Sequence, residues 1–325
     1  MPVAGSPAGQ QANYLGKTRS REHGWGNLGI NIWLVRLKAV LSPAVLNDPV
    51  WRRAILIIAA LGFVAGIGLS MRAQPGLLSN LDWRPVLCLI LIGIPVTVVL
   101  NTLEFRATAR LIGRSFTFAR AAETTIIGGV ANMLPLPGGA IVRVAALRAS
   151  GSSYKEGSLA IVLVAFIWIG VSFAYAGGWL LVLQDTAVLG VFFLLGGILL
   201  LALCVGLTIW FQRVWRQTAI LVVIKIGLVL VDAMRLYFCF HALGPQVEFG
   251  QVSVLTVSGA LGAAVSIVPA GLGIREAFAA VLGPAVGLTA SSAYLATSLN
   301  RVFGLAMLSP IALFLAVRQK RASRV

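Results

Sequence analysis

Acidic residues are scarce in this sequence. Ten Asp and Glu stand against 26 Lys and Arg among 325 residues, and charged residues of all kinds make up 11%. Soluble domains carry about 25% charged residues, so too little charge is present to cover a water-facing globular surface. That excludes a soluble catalytic domain as the bulk of the chain. Histidine occurs only at His23 and His241, too few and too far apart for a metal cluster. Cys88, Cys204 and Cys239 lie inside apolar runs without ligand or redox spacing and read as packing residues. Neither a metal nor another cofactor is implied. A short apolar region near residue 10, the mark of a cleavable signal peptide, is also missing; the first apolar run starts near Ala54.

What the sequence has in quantity is apolar length. Hydrophobic residues make up 58% of it, and several runs exceed the ~18 residues that indicate a membrane span. The expected class is therefore an all-α integral membrane protein. Residues 1–27 are rich in Gly, Ser and Gln and are expected to be disordered. Residues 28–53 follow as an amphipathic segment and basic linker. Ile30, Trp33, Leu34, Leu37 and Leu41 share a helical stripe that fits either a helix lying on the bilayer surface or one packed on the protein itself. The transmembrane domain covers 54–317, with six predicted spans near 54–71, 86–103, 158–183, 187–211, 218–240 and 291–317, and residues 318–325 form a basic tail.

Two regions of this domain do not read as spans. Residues 121–150 and 251–287 are apolar but interrupted by Pro135, Pro137, Gly138 and Gly139 in the first and by Pro269, Gly271 and Gly273 in the second. Broken helices survive at membrane depth where protein or a water-filled cavity satisfies the freed backbone groups. Both regions are therefore expected to be re-entrant helical hairpins, with pairs of short or kinked spans as the alternative. Lys and Arg are concentrated in 1–53, 104–120, 138–157, 212–217 and the tail, while 184–186 and 241–250 have none. By the positive-inside rule both termini are expected on the cytoplasmic side of the inner membrane. The basic residues lie in short loops beside apolar spans, so they are expected to meet lipid rather than nucleic acid.

The two broken regions repeat one pattern. Pro137, Gly139 and Arg143 recur 132 positions later as Pro269, Gly271 and Arg275. Three predicted spans lie between them, so the second copy would face the opposite way. An inverted repeat with paired broken helices is the pattern of alternating-access transporters, whose substrate site lies at the repeat interface.

Charge within the spans points to the same place. Each charge at the centre of a membrane helix costs about 2.5–3.5 kcal/mol, yet the fifth span carries Lys225, Asp232 and Arg235. At about 100° per residue these three share one face. Asp232 may be read as neutralised by its basic neighbours on that face, or the face as the lining of a basic cavity. Arg301 and Asn300 lie in the last span, Arg275 and Glu276 at the second break, and Glu123 and Asn132 in the first broken region. Arg301 either pairs with Glu276 or Glu123, or joins Arg143, Lys225, Arg235 and Arg275 in a pocket for a phosphate-bearing lipid head group. Half-helices starting after Gly139 and Gly273 would turn positive N-terminal ends toward it.

The run Pro269-Ala270-Gly271-Leu272-Gly273-Ile274-Arg275-Glu276 resembles the P-x-G-x-G-x-x-E signature of a flippase-like transmembrane family that includes the membrane half of lysylphosphatidylglycerol synthase, the multiple peptide resistance factor. The run from Asn132 through Pro135, Pro137, Gly138 and Gly139 to Arg143 is similar to that family's N-x-x-x-P...G...R element, and Arg301 matches an Arg of its last core span. The resemblance covers about residues 52–318. It implies a lipid flippase or lipid-binding protein, without catalysis of its own, for a phospholipid, glycolipid or polyprenyl-phosphate-linked lipid. A non-catalytic subunit of a lipid or envelope-polysaccharide biosynthetic complex is the alternative, and an enzyme acting on a lipid phosphate is a third reading. Ala140 stands where relatives carry an acidic residue, which removes a candidate for ion coupling. The sequence continues only eight residues past the last span, so any aminoacylating enzyme is expected as a separately encoded partner.

Overall fold

The computed structural model describes residues 49–76, 81–132, 138–183, 186–212, 215–264 and 273–322. The expectations for residues 1–48, and the helix-breaking positions Pro135, Pro137, Pro269 and Gly271, lie outside them. Among the described residues every regular element is helical. The eleven described α-helical stretches are α1 (Pro49–Ala73), α2 (Trp83–Leu111), α3 (Phe118–Ala131), α4 (Gly138–Ala149), α5 (Tyr154–Val182) and α6 (Ala187–Gln212), then α7 (Trp215–Leu243), α8 (Phe249–Leu255), α9 (Val257–Ala264), α10 (Ile274–Leu282) and α11 (Ala290–Ala322). A 3₁₀ turn, Pro284–Val286, joins the last two.

Five of the six predicted spans each fall within one of these helices, and the third overruns the end of α5 at Val182 by one residue. Among the described residues four stretches are long and apolar enough to cross a membrane: Trp83–Leu111, Tyr154–Val182, Ala187–Ile209 and Ala290–Arg318. The apolar part of α1, Ile57–Ala73, is shorter, and the apolar run of α7 is broken by Lys225, Asp232 and Arg235. Large apolar side chains on the outside, among them Leu61, Leu199, Val223 and Phe314, face away from the core. This is the surface of a multi-pass membrane protein, whose lipid-facing side gains nothing by hiding hydrocarbon.

Local sequence sets the helix starts. Ser153 Oγ accepts from the Glu156 N–H at 3.2 Å, and Glu156 Oε2 accepts from the Ser153 N–H at 2.9 Å, a capping box that begins α5. Glu248 and Gln251 form the same device at α8. Inside the helices, Thr97, Thr102 and Thr108 donate their hydroxyls to carbonyls four residues back, which satisfies a polar group where water is scarce. Small residues set the closest packing. A Cβ on Gly177 of α5 would meet the Leu194 backbone nitrogen of α6 at 2.3 Å, and one on Gly197 would meet Ala174 at 2.4 Å.

The core lies where α7 packs against α2, α5, α8 and α11. Leu89, Leu180, Leu236, Phe240 and Leu255 are fully buried there. The regions cut by Pro and Gly are helix pairs: α3 packs against α4, and α9 against α10. The long helix α11 touches both pairs, through α3 and through α10. One boundary differs from the sequence expectation in a way that matters. The second span was expected to end at residue 103, but α2 runs to Leu111 and contains a π-helical turn at Leu89–Gly93. Glu104 depresses local hydropathy, so an apolar window stops short of it although the backbone continues.

A basic cavity between the two broken helix pairs

The three charges of the fifth predicted span, Lys225, Asp232 and Arg235, gather around one cavity of about 390 Å³ inside the helix bundle. Its lining includes Asn132, Gly139, Ala140 and Arg143 from the first broken pair, and Arg275 from the second. Lys225, Asp232 and Arg235 of α7 complete the wall together with Glu104 and Thr97 of α2 and Trp168 of α5.

At one end of the cavity the central group is Glu104, which is almost fully buried. Its carboxylate lies 2.8 Å from Lys225 Nζ and 3.1 Å from Arg143 Nη1. Lys225 Nζ also stands 5.7 Å from the centre of the Trp168 ring, within reach of a cation–π attraction. Sequence reasoning missed Glu104. The signal available was a lone acid placed next to a long apolar run.

At the other end Arg275 Nη2 donates to both oxygens of Asp232, at 2.9 and 3.2 Å. Asn300 Nδ2 adds a longer bond to the same carboxylate at 3.4 Å. Arg235 donates to Thr97 Oγ1 at 3.3 Å and to the Asn300 carbonyl at 3.4 Å. Its hydrocarbon stem passes Gly93, where any Cβ would come within 2.7 Å of it. The π-helical turn of α2 thus places a glycine where the arginine crosses. On α9, Gly262 makes room for Arg275, whose Cβ would lie 3.0 Å from a Cβ placed there.

Of the two basic neighbours of Asp232 on α7, Lys225 does not neutralise it, while Arg235 stays within electrostatic reach of it. Lys225 and Asp232 do point to one face, but seven residues at 1.5 Å each separate them by about 10 Å along the axis. A view down the helix hides that rise. Each instead meets a partner from another helix, Lys225 meeting Glu104 and Asp232 meeting Arg275.

Arg301 and Glu276 stand apart from the cavity lining. Arg301 Nε lies 2.9 Å from Glu276 Oε1, and Glu276 is fully buried. This is the ion-pair alternative for Arg301, and the pair joins α11 to α10. Glu123, half-buried on α3, does not line the cavity either. Asn300 is buried and serves both Asp232 and Arg235.

The first break is closed by Asn132, whose Oδ1 accepts from the Gly139 N–H at 2.8 Å. A Cβ on Gly139 would meet that side chain at 2.5 Å and the Gly128 carbonyl at 2.7 Å. Gly139 and Ala140, in the first described turn of α4, line the cavity. At the second break Gly273 caps α10 with a φ of 78°, a left-handed conformation that favours glycine. Among the described residues, no group of three His, Cys, Asp or Glu could hold a metal ion.

Fold and site together define a multi-pass, all-helical membrane protein with a basic internal cavity bordered by two interrupted helix pairs. The chain belongs to the lysylphosphatidylglycerol synthase TM region family, which it matches over residues 53–312. Membership links it to membrane lipid metabolism or transport. Comparison with curated proteins gives no match.

Proposed function

We propose that this protein binds a lipid head group in the cavity and carries it between the two leaflets of the cytoplasmic membrane, without changing its covalent bonds. The observation that carries this reading is the position of the cavity. It receives Arg143 from one broken helix pair and Arg275 from the other, while α7 supplies Lys225 and Arg235.

The physics favours an amphipathic anion. Four basic side chains face two carboxylates in an apolar bundle, and guanidinium groups match the fork of phosphate oxygens. A cavity of about 390 Å³ suits a head group, with the acyl chains remaining in the surrounding lipid. Movement of one helix pair against the other would open the site to alternate sides, as in transporters built from inverted repeats. The basic loops orient both termini toward the cytoplasm in this reading.

Reconstitution into liposomes tests it. Fluorescent phospholipids, anionic and zwitterionic in turn, are followed by chemical quenching of the outer leaflet. The wild-type protein should accelerate exchange of an anionic lipid. Arg143→Ala and Arg275→Ala should each slow it at least about tenfold, which is the rate equivalent of 1.4 kcal/mol. Wild-type rates in both variants would remove the cavity from the pathway.

A further inference from the structure

The charge balance of the cavity narrows the ligand. Of its four basic side chains, two share one acid, because both Lys225 and Arg143 bond to Glu104. That cluster retains one positive charge. In the second cluster Asp232 is engaged by Arg275, and among the described residues Arg235 bonds only to neutral oxygens, those of Thr97 and Asn300. This cluster also retains one. Both Arg235 bonds are at the long end for N–H···O. Three of its five N–H groups have no acceptor among the described residues.

Two excess positive charges inside an apolar bundle are costly. A zwitterionic head group would relieve neither, and a phosphodiester with one negative charge would relieve one. We infer that the cavity selects a phosphate group bearing two negative charges, a phosphomonoester, over the singly charged phosphodiester of common phospholipids. This inference rests on the lipid-binding reading above and specifies its ligand class. The two excess charges lie in different clusters along α7, so the ligand would be held between them, with its tails outside.

The test compares two lipids that differ by one methyl group. Dioctanoyl phosphatidic acid is a monoester, and dioctanoyl phosphatidylmethanol is the corresponding diester with a single charge. Binding to the purified full chain in detergent is measured at pH 7.5 and pH 5. Phosphatidic acid should bind at least about tenfold more tightly at pH 7.5, the equivalent of one 1.4 kcal/mol step. The preference should shrink at pH 5, because the second ionisation of a monoester lies near pH 6. Arg235→Gln should bring the two affinities close together by removing one excess charge. Where that variant does not fold, Arg143→Gln removes the same charge from the other cluster and leaves Lys225 on Glu104.

Equal affinities in the wild type, or a preference unchanged in a folded variant, would overturn charge selection and leave lipid binding standing. No binding of either lipid would overturn both. Glycerol 3-phosphate serves as the soluble monoester. If it displaces phosphatidic acid at equal concentration, the ligand belongs to solution and the lipid source is wrong. Failure to displace it keeps the ligand in the membrane.

Discussion

Glu104 Oε2 lies 2.8 Å from Lys225 Nζ, and the same carboxylate also holds Arg143. One buried acid on α2 therefore anchors two cations, one from α7 and one from the first broken helix pair. Removing an acid of this kind is not equivalent to removing either base.

Glu104→Gln should be the most damaging single change in this cluster. It strands buried Lys225 and half-buried Arg143, and breaking a buried pair costs about 3–5 kcal/mol. Lys225→Met should be milder, because the bond from Arg143 to Glu104 survives it. The comparison is made by heating the detergent-solubilised variants and measuring the monodisperse fraction that remains. A Lys225→Met protein less stable than Glu104→Gln would contradict the arrangement.

The pair formed by Arg301 and Glu276 should behave as a structural tie between α11 and α10. Arg301→Met leaves Glu276 buried without this partner and should cost about 3–5 kcal/mol. Adding Glu276→Gln should return part of that stability, since two neutral groups replace an orphaned charge. Thermal unfolding of the two single variants and the double variant measures the coupling. Additive losses would show that the two residues do not act as a pair.

Two neighbouring glycines should differ sharply. Gly139→Ala pushes a methyl group into Asn132 and the Gly128 carbonyl, and should cost about 1–3 kcal/mol by overpacking. Gly129 on α3 has open space where its Cβ would be. Gly129→Ala should be neutral, or should stabilise the helix by roughly 0.5–1 kcal/mol. Melting temperatures in the same detergent give the contrast, and equal shifts would rule out the tight closure at the first break.

Orientation can be read directly in cells. A C-terminal green fluorescent protein fusion should fluoresce, and an alkaline phosphatase fusion at the same point should be inactive, because basic loops are retained in the cytoplasm. An active phosphatase fusion would reverse the proposed topology.

The membrane class, the helical content and the positions of six long helices were legible in the sequence because hydropathy and chain length act locally. The crowding of Lys225, Asp232 and Arg235 on one face was legible for the same reason, as helical periodicity needs no tertiary contact. Glu104 was not, since an apolar window treats any acid as a boundary. The role of Arg301 stayed divided between cavity and ion pair until Glu276 was found 2.9 Å away.

By its residues alone, this chain had to be a bundle of membrane helices carrying more positive than negative charge, with two interruptions of similar pattern. Which acid neutralises which base was decided only by tertiary structure. Helix periodicity fixes the direction in which a side chain points, but an ion pair also requires a partner at the same depth on a different helix. That pairing set Glu104 against Lys225 and Arg143, gave Asp232 to Arg275, and, among the described residues, left Arg235 bonded to the neutral oxygens of Thr97 and Asn300.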